Sequence, residues 1–333
     1  MKKSHVLLIL LGLFFLAQDA SAFWMWTPET NKWVNPKYSV KDTPKEQLDF
    51  AKGFYDSKQY PEAVRELKKL IKNYPKSRDA ANAQYYIGRC YEDQGKLYSA
   101  FKEYQLVLDK YPFSEMSPEV IEREYKIGQK LMDNPNKGTI LDAVAGEKYD
   151  IVKVFQTIIK NEPYGKYAAP SQYKIGLYLM GKGLTQEARD EFEKVINDYP
   201  ESEWVKAAKY QIATADSKRS TKAQYDQKVT GSAVDEFKNF VKEYPDAELT
   251  QVAKDQIQEL RDKEAENNFV VAEFYEKQKN YSAAKLYYEG IVTDYKDSKW
   301  AIKALRKVRD LGDKVDKVDK FDKIENHASK GKK

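Results

Sequence analysis

The sequence predicts an all-α protein, a solenoid of five to six stacked helical hairpins, and three observations predict it. A Tyr-Pro pair recurs at Tyr74-Pro75, Tyr111-Pro112, Tyr199-Pro200 and Tyr244-Pro245. Degenerate copies stand at Glu162-Pro163 and Tyr295-Lys296, giving intervals of 37, 51, 37, 45 and 51 residues. A period in this range marks stacked helical repeats. Between the pairs, small and large apolar residues return at helical spacing. Charged residues make up 33% of the 333 and only 15 are glycine, which suits helices better than sheet or disorder.

Placing each Pro at position 32 of a 34-residue unit brings the copies into register. From Pro112, position 8 is Gly88, 11 is Tyr91, 20 is Ala100, 24 is Tyr104 and 27 is Val107. From Pro200 they are Gly176, Leu179, Ala188, Phe192 and Val195; from Pro75, Ala51, Phe54, Ala63, Leu67 and Leu70. The last copy gives Ala272, Tyr275, Ala284, Tyr288 and Ile291. This is the tetratricopeptide pattern. Small residues at 8 and 20 let two helices approach, large ones fill the space around them, and Pro stops the second helix. The third and fifth copies carry insertions around Asn134–Gly138 and Ser217–Lys228. In the third, Ile127, Gly128 and Leu131 lie on the first helix and Phe155 on the second; in the fifth, Ile212-Ala213 precede Ala233, Phe237 and Phe240. Thr43-Pro44-Lys45-Glu46 reads as a capping box that starts the first repeat. The stretch from Pro245 to Val271 has no internal breaker and predicts one long helix. Trp204 and Trp300 follow the stops and are expected as wedges between repeats.

The two ends read differently. Residues 1–22 have a basic start, an apolar run and an Ala20-Ser21-Ala22 site, the features of a signal peptide cut after Ala22. Residues 23–43 form an expected extended aromatic strap. Trp24, Trp26 and Trp33 in it are candidates either for capping the first repeat or for anchoring to a partner or a membrane interface. Repeats are expected over 44–163 (N-terminal hairpins) and 164–312 (C-terminal hairpins), with a charged tail over 313–333.

Composition argues against catalysis. Past the leader there is one histidine, His327, and one cysteine, Cys90, so histidine-based triads, Cys/His dyads and ordinary zinc sites are excluded within one chain. Gly181-Lys182-Gly183 lacks the spacing of a phosphate-binding loop and reads as a hairpin turn. Carboxylates such as those around Glu62/Arg65/Glu66 and Arg189/Glu193 stand at i, i+3 and i, i+4 from bases, the pattern of a solvated helix face. No cofactor and no metal is expected. The net charge of +5 gives no case for nucleic acid.

A binding surface is expected on the first helices. Positions 5, 9 and 12 place Leu48, Tyr55, Tyr85, Arg89, Tyr125, Gln129, Tyr173 and Leu177 as candidates for a groove that takes extended, aromatic or apolar peptides.

Two segments carry a resemblance. Val271-Ala272-Glu273-Phe274-Tyr275 with Tyr281-Ser282-Ala283-Ala284 and Tyr295-Lys296-Asp297-Ser298 is one. Ala51-Lys52-Gly53-Phe54-Tyr55 with Tyr60-Pro61-Glu62-Ala63 and Tyr74-Pro75-Lys76-Ser77 is the other. Over about Pro44 to Arg309 the chain resembles the BamD family of outer-membrane protein assembly factors. The resemblance implies a periplasmic scaffold, peripheral at the outer membrane, whose N-terminal repeats meet unfolded β-barrel substrates and whose C-terminal repeats meet BamA-like periplasmic domains. The family is typically lipidated on a cysteine, whereas Leu16 to Phe23 contains none. The alternative reading is a general periplasmic adapter for cell division or envelope maintenance.

Overall fold

The computed structural model describes residues 24–27, 32–35, 39–133, 150–220 and 227–312. The leader, the turn cluster at 134–138, residues 221–226 of the second insertion and the charged tail lie outside the described residues. Two compact units divide between Ile127 and Gly128.

The first unit opens with a feature beyond the expected strap. Strands β1 (Met25–Thr27) and β2 (Lys32–Val34) pair antiparallel, with Trp26 opposite Trp33. Trp26, Thr27, Trp33 and Val34 are residue types that favour strands. Helices α1 (Pro44–Asp56), α2 (Tyr60–Asn73), α3 (Arg78–Asp93), α4 (Leu97–Lys110) and α5 (Ser117–Asp133) follow, and the unit takes α5 as far as Ile127. The Thr43 hydroxyl accepts from the Glu46 amide at 3.2 Å, as the capping signal predicted.

The second unit contains α6 (Ile151–Asn161), α7 (Ala168–Gly181), α8 (Thr185–Asp198), α9 (Trp204–Arg219) and α10 (Gln227–Glu243). It continues through the predicted long helix α11 (Leu249–Lys277), then α12 (Tyr281–Asp294) and α13 over 301–312. Successive helices pack on one another from α1 to α4 and from α6 to α12, and successive first helices also touch, α1 on α3 and α7 on α9. The fold is all-α apart from the small hairpin.

The repeat register explains the core. Position 20 is Ala63, Ala100, Ala188 and Ala284, and all four are fully buried, as are Leu67, Tyr104, Phe192 and Tyr288 at position 24. Three copies set a glycine at 8 against the ring at 24, whereas the last copy pairs Tyr288 with Ala272. A Cβ on Gly88 would collide with the Tyr104 ring, one on Gly176 would lie 2.5 Å from Phe192 Cε1, and one on Gly128 would lie 2.9 Å from Phe155 Cε1. Glycine is therefore used where the ring must reach the facing backbone.

Two turns join the helices. Position 15, between the two helices of a hairpin, takes the left-handed conformation in four copies: Lys58 (φ 59°), Gly95 (φ 76°), Gly183 (φ 78°) and Lys279 (φ 61°). The next amide then bonds the carbonyl five residues back, for example Lys96 N to Tyr91 O at 2.9 Å and Leu184 N to Leu179 O at 3.0 Å. This is the glycine-type helix stop, and it identifies Gly181-Lys182-Gly183 as a turn. The second turn is built by Tyr-Pro-x-Ser. The Ser77, Ser114 and Ser202 amides bond the carbonyls of Tyr74, Tyr111 and Tyr199, and each serine hydroxyl then accepts the amide two residues on, at or just before the start of the following helix, at 3.1–3.3 Å. Tyr295-Lys296-Asp297-Ser298 makes the same bonds without the proline, so the serine cap carries the turn there.

Candidate functional site

In the first unit the candidate residues on α1, α3 and α5 converge on a polar network. The Tyr55 hydroxyl donates to Asp93 Oδ2 at 2.5 Å, and the Arg89 guanidinium lies 5.8 Å over the Tyr55 ring. Arg89 Nη1 donates to the Tyr85 hydroxyl at 3.2 Å, which donates in turn to Glu119 Oε1 at 2.5 Å. Arg123 ties the set together: Nε reaches the Tyr85 hydroxyl at 3.1 Å, Nη2 reaches Glu119 at 2.8 Å and Nη1 reaches Glu92 Oε2 at 3.2 Å. Glu92 also accepts from the buried Tyr104 hydroxyl at 2.7 Å.

The electrostatics follow from these contacts. Burial, then the Asp93 and Glu119 hydrogen bonds, raise the Tyr55 and Tyr85 hydroxyls above the ordinary phenol range, so both act as neutral donors. The Tyr85 hydroxyl, then Arg123, hold the Glu119 carboxyl below its usual range. Burial would lower the Arg123 guanidinium, but Glu119 and its other partners outweigh it and keep it charged. The network is an array of fixed donors and acceptors rather than a proton-transfer site.

Among the other candidates, Leu48 is a core residue beside Ala51 and Leu67. Tyr85, Tyr125 and Tyr173 are 4%, 8% and 8% exposed, so the expected open aromatic column is instead a set of rings packed between helices. Tyr55, Arg89, Asp93 and Arg123 remain partly exposed around this network. In the second unit, Gln129 is half-buried. Tyr173 packs on Phe192 and Trp204 with centroids at 5.4 and 5.0 Å, and its hydroxyl accepts from Gln211 at 3.4 Å. Leu177 borders the same core. Trp204 there, and Trp300 against Phe269 at 5.0 Å, are wedges as expected. Trp24, Trp26 and Trp33 are exposed.

Two readings of charged faces need correction. Glu66, taken as solvated, is 3% exposed and accepts from Lys69 and from the buried Gln47. Burial would raise its carboxyl, but these bonds hold it below the usual range. Arg189 likewise meets Glu193, the buried Asp216 and Glu236, at the edge of a cleft of about 810 Å³ lined also by Lys209 and Glu243. A recurrent device was also missed. Gln47, Gln84 and Gln172, all at position 4, donate to the glutamate at position 23, namely Glu66, Glu103 and Glu191. The repeated Gln and Glu nineteen residues apart was the available signal. Cys90 is buried, and burial with nearby Asp93 pushes its thiol up to about 12.

The last repeat shows a contrasting surface. Val270 and Phe274 on α11, Leu286 and Tyr287 on α12, and Ile302 and Leu305 on α13 are all exposed. Among the described residues, no group of three or more His, Cys, Asp or Glu is placed to hold a metal ion.

Residues 213–316 match the family model described as YfiO, outer membrane lipoprotein. Residues 48–115 and 171–202 match tetratricopeptide repeat models. No curated protein matches the sequence. Among solved structures, the chain is similar to the C-terminal part of a TPR repeat-containing protein from Cytophaga hutchinsonii, at 17% identity and TM-score 0.36 over 81% of this chain and 89% of that one. It is similar to a tetratricopeptide repeat protein from Parabacteroides merdae, at 14% identity and TM-score 0.34 over 80% and 98%. MamA from Desulfovibrio magneticus is similar at 14% identity and TM-score 0.33 over 63% and 99%. The chain thus has the fold of a tetratricopeptide-repeat protein, and its residues 213–316 are similar to the outer membrane lipoprotein family.

Proposed function

We propose that this protein is a non-enzymatic periplasmic scaffold of β-barrel outer-membrane protein assembly, peripheral at the outer membrane, which binds unfolded substrate segments and BamA-like periplasmic domains. One observation carries the reading. The region similar to the outer membrane lipoprotein family, 213–316, is also where Phe274, Leu286 and Ile302 are left exposed at 56%, 69% and 66%. Large side chains at that exposure suit a protein partner better than solvent. The N-terminal repeats supply the second surface, with Tyr55, Arg89 and Asp93 offering donors, acceptors and a ring edge to an extended peptide.

The test is capture of purified BamA periplasmic domains by the immobilised protein. Retention that is lost in the Phe274→Asp/Leu286→Asp variant, with helicity by circular dichroism unchanged, is the expected result. If the wild-type protein retains no BamA domains, the assembly reading fails.

A further inference from the structure

We propose that the N-terminal hairpin is a lipid-contacting element, with Trp24, Trp26 and Trp33 forming one face that seats in the headgroup region of an anionic phospholipid surface. The register makes the face. Trp26 and Trp33 are direct cross-strand partners, so their side chains leave the same side of the ribbon, and their rings meet edge-on at 5.7 Å. Trp24, one residue ahead of β1 and two before Trp26, has the spacing of that side in an extended backbone. All three remain exposed, at 56%, 44% and 63%. A packed cap on a repeat would have hidden them.

The chemistry favours lipid over another occupant. Indole has a large apolar body and one N–H donor, the combination enriched at the membrane–water boundary. Residues 23–43 carry Lys32, Lys37 and Lys41 against Glu29 and Asp42, a small positive balance that suits anionic headgroups. Strands of three residues give a second copy of the chain little edge to pair with. No described helix is long and apolar enough to cross a membrane, so a tryptophan stripe offers attachment of a different, interfacial kind. The choice of a phospholipid surface rests on the envelope location proposed above; the geometry of the face does not.

The experiment is flotation of the exported protein with vesicles of phosphatidylethanolamine and phosphatidylglycerol, alongside its Trp24→Ser/Trp26→Ser/Trp33→Ser variant. Tryptophan quenching by brominated acyl chains is measured in parallel. Expected are co-flotation of the wild type, a loss of at least about tenfold in partition for the variant, and quenching that disappears with it. Circular dichroism of the variant should match the wild type, since no helical residue is changed. Equal partition of both proteins, absence of quenching, or a change of oligomeric state in the variant would each overturn the proposal, the last in favour of a second copy as occupant. The vesicles contain no protein, so failure here leaves the BamA capture result unaffected.

Discussion

The second and fourth repeats fill the same slots in opposite ways. In the second, Tyr104 at position 24 bonds Glu92 at position 12, and Arg123 from the next first helix neutralises the pair. In the fourth, the corresponding residues are Phe192, Met180 and Gln211, an apolar contact with only a long bond from Gln211 to Tyr173. The sixth repeat returns to the polar form at identical spacing, with Tyr288 on Glu276 at 3.2 Å and Lys307 on Glu276 at 2.9 Å. One backbone thus accepts either solution. A satisfied polar trio adds little net stability over packed hydrophobes, but losing one member leaves a poorly solvated charge. The second repeat should therefore tolerate its positions far less than the fourth.

The sharpest way to break this comparison is Arg123→Met against Gln211→Met. The first strands Glu92 and Glu119 and is expected to lower stability by about 2–3 kcal/mol, with the carboxylates' partial exposure already discounted. The second should cost under about 1 kcal/mol. Urea unfolding of both variants measures the difference, and equal losses would remove the distinction.

Gly88→Ala comes next, at about 1–3 kcal/mol, because the new Cβ would displace a Tyr104 ring that is held by Glu92. Gly176→Ala meets Phe192, whose ring has no hydroxyl tether, and should cost less in the same urea unfolding.

Acid should act on the first unit with a defined sign. Glu66 and Glu119 have folded values below their unfolded range, so their stabilisation is fully present above the unfolded carboxylate value of about 4.3 and is lost as pH falls through the lower folded values. Tm should therefore fall steeply below about pH 4. Arg123→Met should make that fall shallower by removing one cause of the Glu119 shift. Glu264 behaves oppositely. Burial raises its carboxyl, so Glu264→Gln should raise Tm near neutrality and have no effect in acid.

The smallest effect tests the turns. Lys58→Gly and Lys279→Gly relieve a left-handed lysine and should each gain up to about 1 kcal/mol, whereas Gly95→Lys should lose a similar amount.

The helical register was legible because each constraint is local. Small residues at 8 and 20, rings at 24 and Tyr-Pro-x-Ser stops are read directly from residue type and spacing, and Ala63, Ala100, Ala188 and Ala284 lie in the core accordingly. The long helix α11 followed from the absence of a breaker. The site was less legible because a helical position gives direction but not neighbours. Tyr85 and Tyr173 do point inward from their helices, but α5 and α9 supply the partners that bury them. Glu66 looked solvated because its i, i+3 base was visible and the distant Gln47 was not. The aromatic strap is legible as extended, but the pairing of Trp26 with Trp33 is a contact between residues seven apart that composition does not fix.

The most direct test of the scaffold account is fluorescence anisotropy of a labelled extended peptide ending in an aromatic residue, titrated with wild-type protein and with Tyr55→Ala/Arg89→Ala. The account predicts saturable binding that weakens by about tenfold in the variant, equivalent to about 1.4 kcal/mol, while the Tm of the variant stays well above the assay temperature. Binding that does not saturate, or that is equal in the two proteins, would contradict it.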